Sequence, residues 1–303
     1  MTDSAYFDLE DFLFKERAEV EKALGRSLKY LDRYLPVGLA KPVRDAVMAG
    51  GKRLRPILCA LVYRKCGGQI GPAAYDLGVS IELIHTYSLM HDDLPCIDDA
   101  QLRRGSLTTH KIYGEEIAVR AGLALIPAAS LQAIRAIREL GCDEKISQNI
   151  LIELNCAAGA GGMVGGQYLD LMAEDLVLDS DKLENVHCMK TGALLTASLV
   201  MGGLAAYASE DKITGLKKYG RAVGLAFQIT DDILDETSSS KDLGKNPSDG
   251  LLDKVTYVSI YGVEESMRIA RDLSDEAVGV LREAGIESPE LNAIARYIVE
   301  RKL

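Results

Sequence analysis

Apolar positions recur every three to four residues through most of this chain, and the spacing predicts helix after helix. Leu9 to Leu31 sets Phe12, Ala18, Leu24 and Leu28 among charged residues, the pattern of an amphipathic helix near the surface. After Pro36 and Pro42, Gly50-Gly51 ends one helix, and Pro56 suits the first turn of the next, Ile57 to Cys66. Gly67-Gly68 and Gly71-Pro72 break the chain again before a long helix from Ala73 to Leu94, which Pro95 stops. Ile117 to Leu140, Glu144 to Tyr168, Leu183 to Ala206 and Asp211 to Glu236 continue the pattern. Asp253 to Leu303 reads as two helices parted near Gly285. Alternation of period two is missing, so no strand is expected, and no 20- to 50-residue repeat occurs. The expected class is all-α.

Composition narrows this picture. No Ser/Pro-rich or long Gly/Ser linker divides the 303 residues, so one domain over 1–303 is expected. A net charge of −10 argues against nucleic acid or anionic lipid as the main partner, and makes any basic cluster a local device. Six cysteines show neither CxxC nor zinc-ligand spacing, which suits free, mostly buried thiols in a cytoplasmic protein. The acidic start, Met1 to Asp8, is unlike a signal or transit peptide. Thr191 to Ala208 carries no charge, but its Ala, Gly, Ser and Thr content points to a closely packed core helix rather than a membrane span.

Two acidic clusters carry the candidate chemistry. Asp92, Asp93, Asp98 and Asp99 lie within eight residues, followed by Arg103-Arg104-Gly105. Asp231, Asp232 and Asp235 form the second cluster. On a helix Asp231 and Asp235 share a face, with Gln228 one turn earlier. Like charges at that spacing cost about a few tenths of a kcal/mol, and the apolar neighbours Phe227, Ile229, Ile233 and Leu234 suggest a largely buried helix whose acids need cations. Oxygen-only ligands suit Mg²⁺, which binds through one or two carboxylates and substrate phosphates. For either cluster alone, a solvated acidic face remains the plain alternative.

Taken together with the basic motifs, the chain resembles the trans-isoprenyl diphosphate synthases, the short-chain head-to-tail prenyltransferases. The matching elements run in order: Gly50-Gly51-Lys52-Arg53-Leu54-Arg55-Pro56, His85, the Asp92 to Gly105 stretch, Gly165-Gly166-Gln167-Tyr168-Leu169-Asp170, Lys190-Thr191-Gly192, Phe227 to Asp235, Leu243-Gly244-Lys245 and Lys254-Val255-Thr256-Tyr257. The resemblance implies a helical bundle around a deep cavity, usually as a homodimer, condensing isopentenyl diphosphate with an allylic diphosphate. It implies that Asp92, Asp98, Asp231 and Asp235 serve about three Mg²⁺ ions once substrate is bound, Asp235 through water. Arg103, Lys190, Thr191, Gln228, Lys245 and Lys254 would face the allylic substrate, with Lys190, Thr191, Gln228 and Lys245 closest to the chemistry. Lys52, Arg55, His85 and Arg104 would hold isopentenyl diphosphate.

Tyr87 stands five residues before Asp92, about 7 Å along a helix. By the resemblance it floors the hydrocarbon pocket beside Ser88, as in bacterial-type farnesyl diphosphate synthases, and sets a C15 product. A geranylgeranyl (C20) synthase is the alternative, and a non-catalytic partner subunit a further one. Leu123 replaces an expected acid, and Asn246 to Asp249 lacks the expected glycine. His91, His110 and His187 receive no role, Lys52-Arg53 could be a solvated pair, and the glycines from 159 to 166 are read as close helix packing.

Overall fold

The structure, a computed structural model, describes residues 7–172, 180–237 and 255–301. It is helical nearly throughout: α1 (Leu9–Leu31), α2 (Val37–Val47), α3 (Leu54–Lys65), α4 (Pro72–Asp92), α5 (Thr109–Tyr113), α6 (Glu115–Leu140), α7 (Glu144–Ala158), α8 (Met163–Met172), α9 (Ser180–His187), α10 (Ala193–Ala205), α11 (Glu210–Thr237), α12 (Tyr257–Glu283) and α13 (Pro289–Glu300). Between α9 and α10 the helix widens into a π turn, Cys188–Gly192.

Three sequence expectations need correction. Glu144 to Tyr168 is not one helix: the chain turns at Gly159 to Gly162, where the Gly162 N–H bonds the Gly159 carbonyl, and α8 starts afresh. A small sheet exists, with β1 (Leu102–Arg103) pairing antiparallel to β2 (Ser106–Leu107). Arg104 and Gly105, both at positive φ (53° and 77°), form its two-residue turn. Strands of two residues are too short to show alternation. All six cysteines are free, as expected, but only Cys59 is buried; Cys96 and Cys156 are exposed.

The chain folds as two compact units. One gathers Arg17–Asn155 and Met201–Tyr207. Its centre is α4, buried on nearly every face between α3 and α6. That explains why α4 reads as a near-continuous apolar run rather than a stripe. Its few buried charges are paired: Asp76 with Arg26 at 2.8 Å and Glu82 with Arg53 at 2.9 Å.

The other unit takes the remaining chain. There α11 packs along α12 and against α13 and the π turn. Tyr219 is fully buried on α11, and its hydroxyl donates to the Leu291 carbonyl at 2.8 Å. Thr256 and Ser259 close a capping box at the start of α12. The close packing read from the glycines is present: a Cβ on Gly166 would stand 2.3 Å from the Lys190 nitrogen.

Two helical stretches, Glu115–Leu140 and Ser180–Ala205, are long and apolar enough to cross a membrane by length and composition. The second is 61% buried over its apolar window and includes the expected core run as far as Ala205. In the first, fully buried Gln132 donates to the Asp76 carbonyl at 2.9 Å, a contact made inside the unit.

Candidate active site

The first unit assembles the earlier motifs around the C-terminal end of α4. After Asp92 the inserted residues 94 to 97 coil into a tight turn. Within it the Asp98 N–H donates to the Asp92 carbonyl at 2.9 Å, and the Ala100 N–H reaches the Asp93 carbonyl at 3.2 Å. The four-residue insert therefore returns Asp98 beside Asp92, where an uninterrupted helix would carry it away. Asp92 is half-buried and Asp98 exposed.

The hairpin then sends its two arginines to different partners. Arg103 bonds the buried Asp93 carboxylate, with Nε at 2.7 Å and Nη2 at 2.6 Å. Arg104, in the left-handed conformation at a cost of roughly 1–2 kcal/mol, bonds the Gly50 carbonyl. Its guanidinium lies so close to Gly51 that a Cβ there would sit 2.6 Å away. Gly51 also has φ +130°, so the Gly-Gly pair serves both the turn and the arginine.

Arg53 is not the solvated residue considered above. It is 3% exposed, in the left-handed conformation, and bonds Glu21 at 2.9 Å, Glu82 at 2.9 Å and the Val47 carbonyl at 2.8 Å. It thus pins the loop that carries exposed Lys52 and half-buried Arg55. The Arg55 Nε is buried without a hydrogen-bond partner. Burial pushes the Arg55 guanidinium below its ordinary pKa; Glu82 opposes this and the Arg104 charge adds to it. His85 is held well below the usual histidine range, first by burial and then by Arg55, Arg104, Arg103 and Arg53. Arg55, His85 and Arg104 therefore share one strongly positive environment.

The second unit carries the other motifs. Gly224, Gln228, Asp231 and Asp235 fall on one stripe of α11, and Gly224 meets Gly192 of the π turn so closely that a Cβ would stand 2.7 Å from its Cα. Lys190, on that turn, bonds Asp170 of α8 at 2.6 Å, and Thr191 is half-buried beside it. A π turn displaces side chains from the α register and is frequent at functional sites.

Gln228 donates to Asp231 at 3.2 Å. Asp232 accepts the Tyr257 N–H at 2.9 Å and lies 3.7 Å from His187, whose ring stacks on Tyr257. The expected burial holds for one side of the helix only. Ile229 and Ile233 are buried, whereas the Asp231 side chain is 39% exposed and Asp235 is exposed. The cation beside Asp231 is one the sequence did not suggest: Arg301 bonds its carboxylate while lying 3.9 Å over the Phe227 ring. Lys245, Lys254 and the Asn246 to Asp249 departure lie outside the described residues. Leu123 is exposed on α6.

The partners of Asp93, Asp170 and His187 are not visible in the sequence, since each holds a neighbour that only the folded chain brings to it. Among the described residues no group of three or more His, Cys, Asp or Glu side chains is gathered for a metal. Asp92 and Asp98, joined by the backbone hydrogen bond described above, offer carboxylates of the kind that suits Mg²⁺ nonetheless, because that ion takes one or two carboxylates and completes its shell with water and substrate oxygens.

Comparison with known proteins gives a consistent result. The polyprenyl synthetase family model matches residues 37–288. A dimethylallyltranstransferase of Fischerella ambigua (strain UTEX 1903) is 41% identical over 98% of this chain and 85% of that protein. The chloroplastic geranylgeranyl pyrophosphate synthase 11 of Arabidopsis thaliana is 39% identical over 97% of this chain and 83% of that protein. The crystal structure of an FPP/GFPP synthase from Zymomonas mobilis superposes with a TM-score of 0.79 at 34% identity, covering 95% of this chain and 99% of that one.

Proposed function

The chain belongs to the polyprenyl synthetase family and is a prenyl diphosphate synthase, and from that premise we propose a Mg²⁺-dependent enzyme that extends dimethylallyl and geranyl diphosphate with isopentenyl diphosphate to farnesyl diphosphate (C15). The observation that carries the binding half of this reading is Arg55. A buried guanidinium Nε without a partner, flanked by Arg104 and by a histidine kept neutral, is an unmet donor in a positive pocket, and an anion meets it. Lys52, Arg55 and Arg104 grip the diphosphate of isopentenyl diphosphate, and neutral His85 donates one N–H.

Asp92, Asp98, Asp231 and Asp235 would hold Mg²⁺, which would supply Lewis-acid neutralisation of the departing diphosphate. Breaking the allylic C–O bond leaves negative charge on that diphosphate. Arg103 and Lys190 are cations that would favour it, as the Lys245 and Lys254 charges would by the family resemblance, with Thr191 and Gln228 as hydrogen-bonding partners. Asp93 and Asp170 orient Arg103 and Lys190 for this work. Apolar walls around the allylic chain keep water from the cation. No side chain is assigned as general base, because the released diphosphate takes the proton.

Tyr87 supports the C15 product. It is 9% exposed on α4, five residues before Asp92, a place from which an aromatic ring would close the path of a growing chain. A C20 product is the second reading, favoured by the naming of the Arabidopsis relative as a geranylgeranyl synthase. We also propose a homodimer working in the cytoplasm, the free cysteines suiting a reducing compartment. Incubating the purified protein with isopentenyl diphosphate, each allylic starter and Mg²⁺, then sizing the products, tests the reading. C15 supports it, and C20 in both wild type and Tyr87→Ala removes Tyr87 as the floor.

A further inference from the structure

His91 lies on α4 between Tyr87 and Asp92 in sequence, and the motifs give it no part. Its ring meets the Tyr87 ring edge-on, with centroids 5.2 Å apart and planes at 90°. On its other side His91 Nε2 lies 3.2 Å from the Val119 carbonyl of α6. A carbonyl only accepts, so that nitrogen carries a proton and donates it to the carbonyl. Gly122, one turn further along α6, completes the arrangement. A Cβ there would stand 2.3 Å from His91 Nε2 and 2.6 Å from Cδ2, which no side-chain carbon tolerates. The ring can occupy its place only because residue 122 has no side chain. The Ser88 hydroxyl donates to the His85 carbonyl at 2.9 Å.

We infer that α6 sets product length through this contact: Gly122 and the Val119 carbonyl seat His91, and His91 braces Tyr87 against the growing chain. His91 and Gly122 are thus specificity-determining positions that act on substrate through Tyr87. Without the brace the phenol can tilt away, and the pocket deepens. The inference rests on the reading of Tyr87 as the pocket floor.

The test measures products of the full-length enzyme with isopentenyl and geranyl diphosphates, as the share of product one isoprene unit longer than the wild-type one. Gly122→Ala and His91→Leu are each expected to raise that share about three-fold or more. Tyr87→Ala raises it further, and adding Gly122→Ala to Tyr87→Ala gives nothing more, because both act on one contact. A general loss of folding lowers turnover or stability without moving the product ratio. His91→Leu adds no atoms to the helix crossing, so it decides the matter alone if Gly122→Ala fails to fold. A wild-type ratio, or a shift to shorter product, in either folded variant beside a lengthened Tyr87→Ala product overturns the brace and leaves Tyr87 as the floor. An unchanged Tyr87→Ala profile overturns both.

Discussion

Arg301 bonds the Asp231 carboxylate from the far end of the chain, its guanidinium lying over Phe227 and also donating to the Phe227 carbonyl at 3.1 Å. An arginine on a carboxylate assigned to Mg²⁺ is a resident competitor for that ion. Arg301→Gln should lower the Mg²⁺ concentration for half-maximal rate by about three- to ten-fold, the contact being partly open to water. A metal titration of the initial rate reads this directly. An unchanged or raised requirement means that the two cations do not compete.

Asp92→Ala and Asp231→Ala should each reduce turnover by on the order of 10³-fold or more, because under the proposed function each would lose an oxygen ligand for the ion that stabilises the leaving group. The helical circular dichroism should survive, since neither side chain is part of the apolar core. Wild-type rates in either variant would refute the metal assignment.

Arg55→Gln should raise the KM for isopentenyl diphosphate by about 10- to 100-fold while moving the KM for the allylic partner little. Separate saturation curves for the two substrates distinguish this from general damage. Equal rises in both would place Arg55 elsewhere in the reaction.

Arg53→Met leaves the buried Glu82 carboxylate unpaired, and such losses cost about 3–5 kcal/mol. Urea unfolding should show a loss of that size. Arg53→Met combined with Glu82→Gln should recover part of it. A loss below about 1 kcal/mol in the single variant would mean that the loop is held by other interactions.

His85 gives a pH dependence whose sign is fixed by its depressed pKa. Above the unfolded value of about 6.5 both states are neutral and nothing is lost. As pH falls below about 6.5 the unfolded chain takes a proton that the folded chain refuses until its own, lower pKa is reached, so stability declines through that window. His85→Asn should flatten this part of the profile in denaturation experiments between about pH 5 and 7.5. An identical slope in the variant would assign the proton to another group.

Most helices were legible because their apolar stripes are long, and α4 because a helix buried on most faces shows a run bounded by Gly71-Pro72 and Pro95. The hairpin was not, since two-residue strands have no period and Arg-Gly is a rarer turn pair than Asn-Gly. At the candidate site, residue types and spacing exposed the acids and the basic motifs. The partners that orient them were hidden. Glu82 looks like any helical glutamate until Arg53 folds onto it across 29 positions, and Arg301 meets Asp231 across 70. Such pairings are set by tertiary packing and leave no local trace.

The widened turn at Cys188–Gly192 carries a lesson for engineering this chain. A π turn is an α-helix with one residue too many, so deleting a single residue there lets the ladder of hydrogen bonds close normally while the flanking segments keep their phase. Elsewhere along Ser180–Ala205 the same deletion would rotate every later side chain by about 100°. The stretch is therefore a natural seam for length variation, where local shape can be remodelled without re-cutting the surrounding interior.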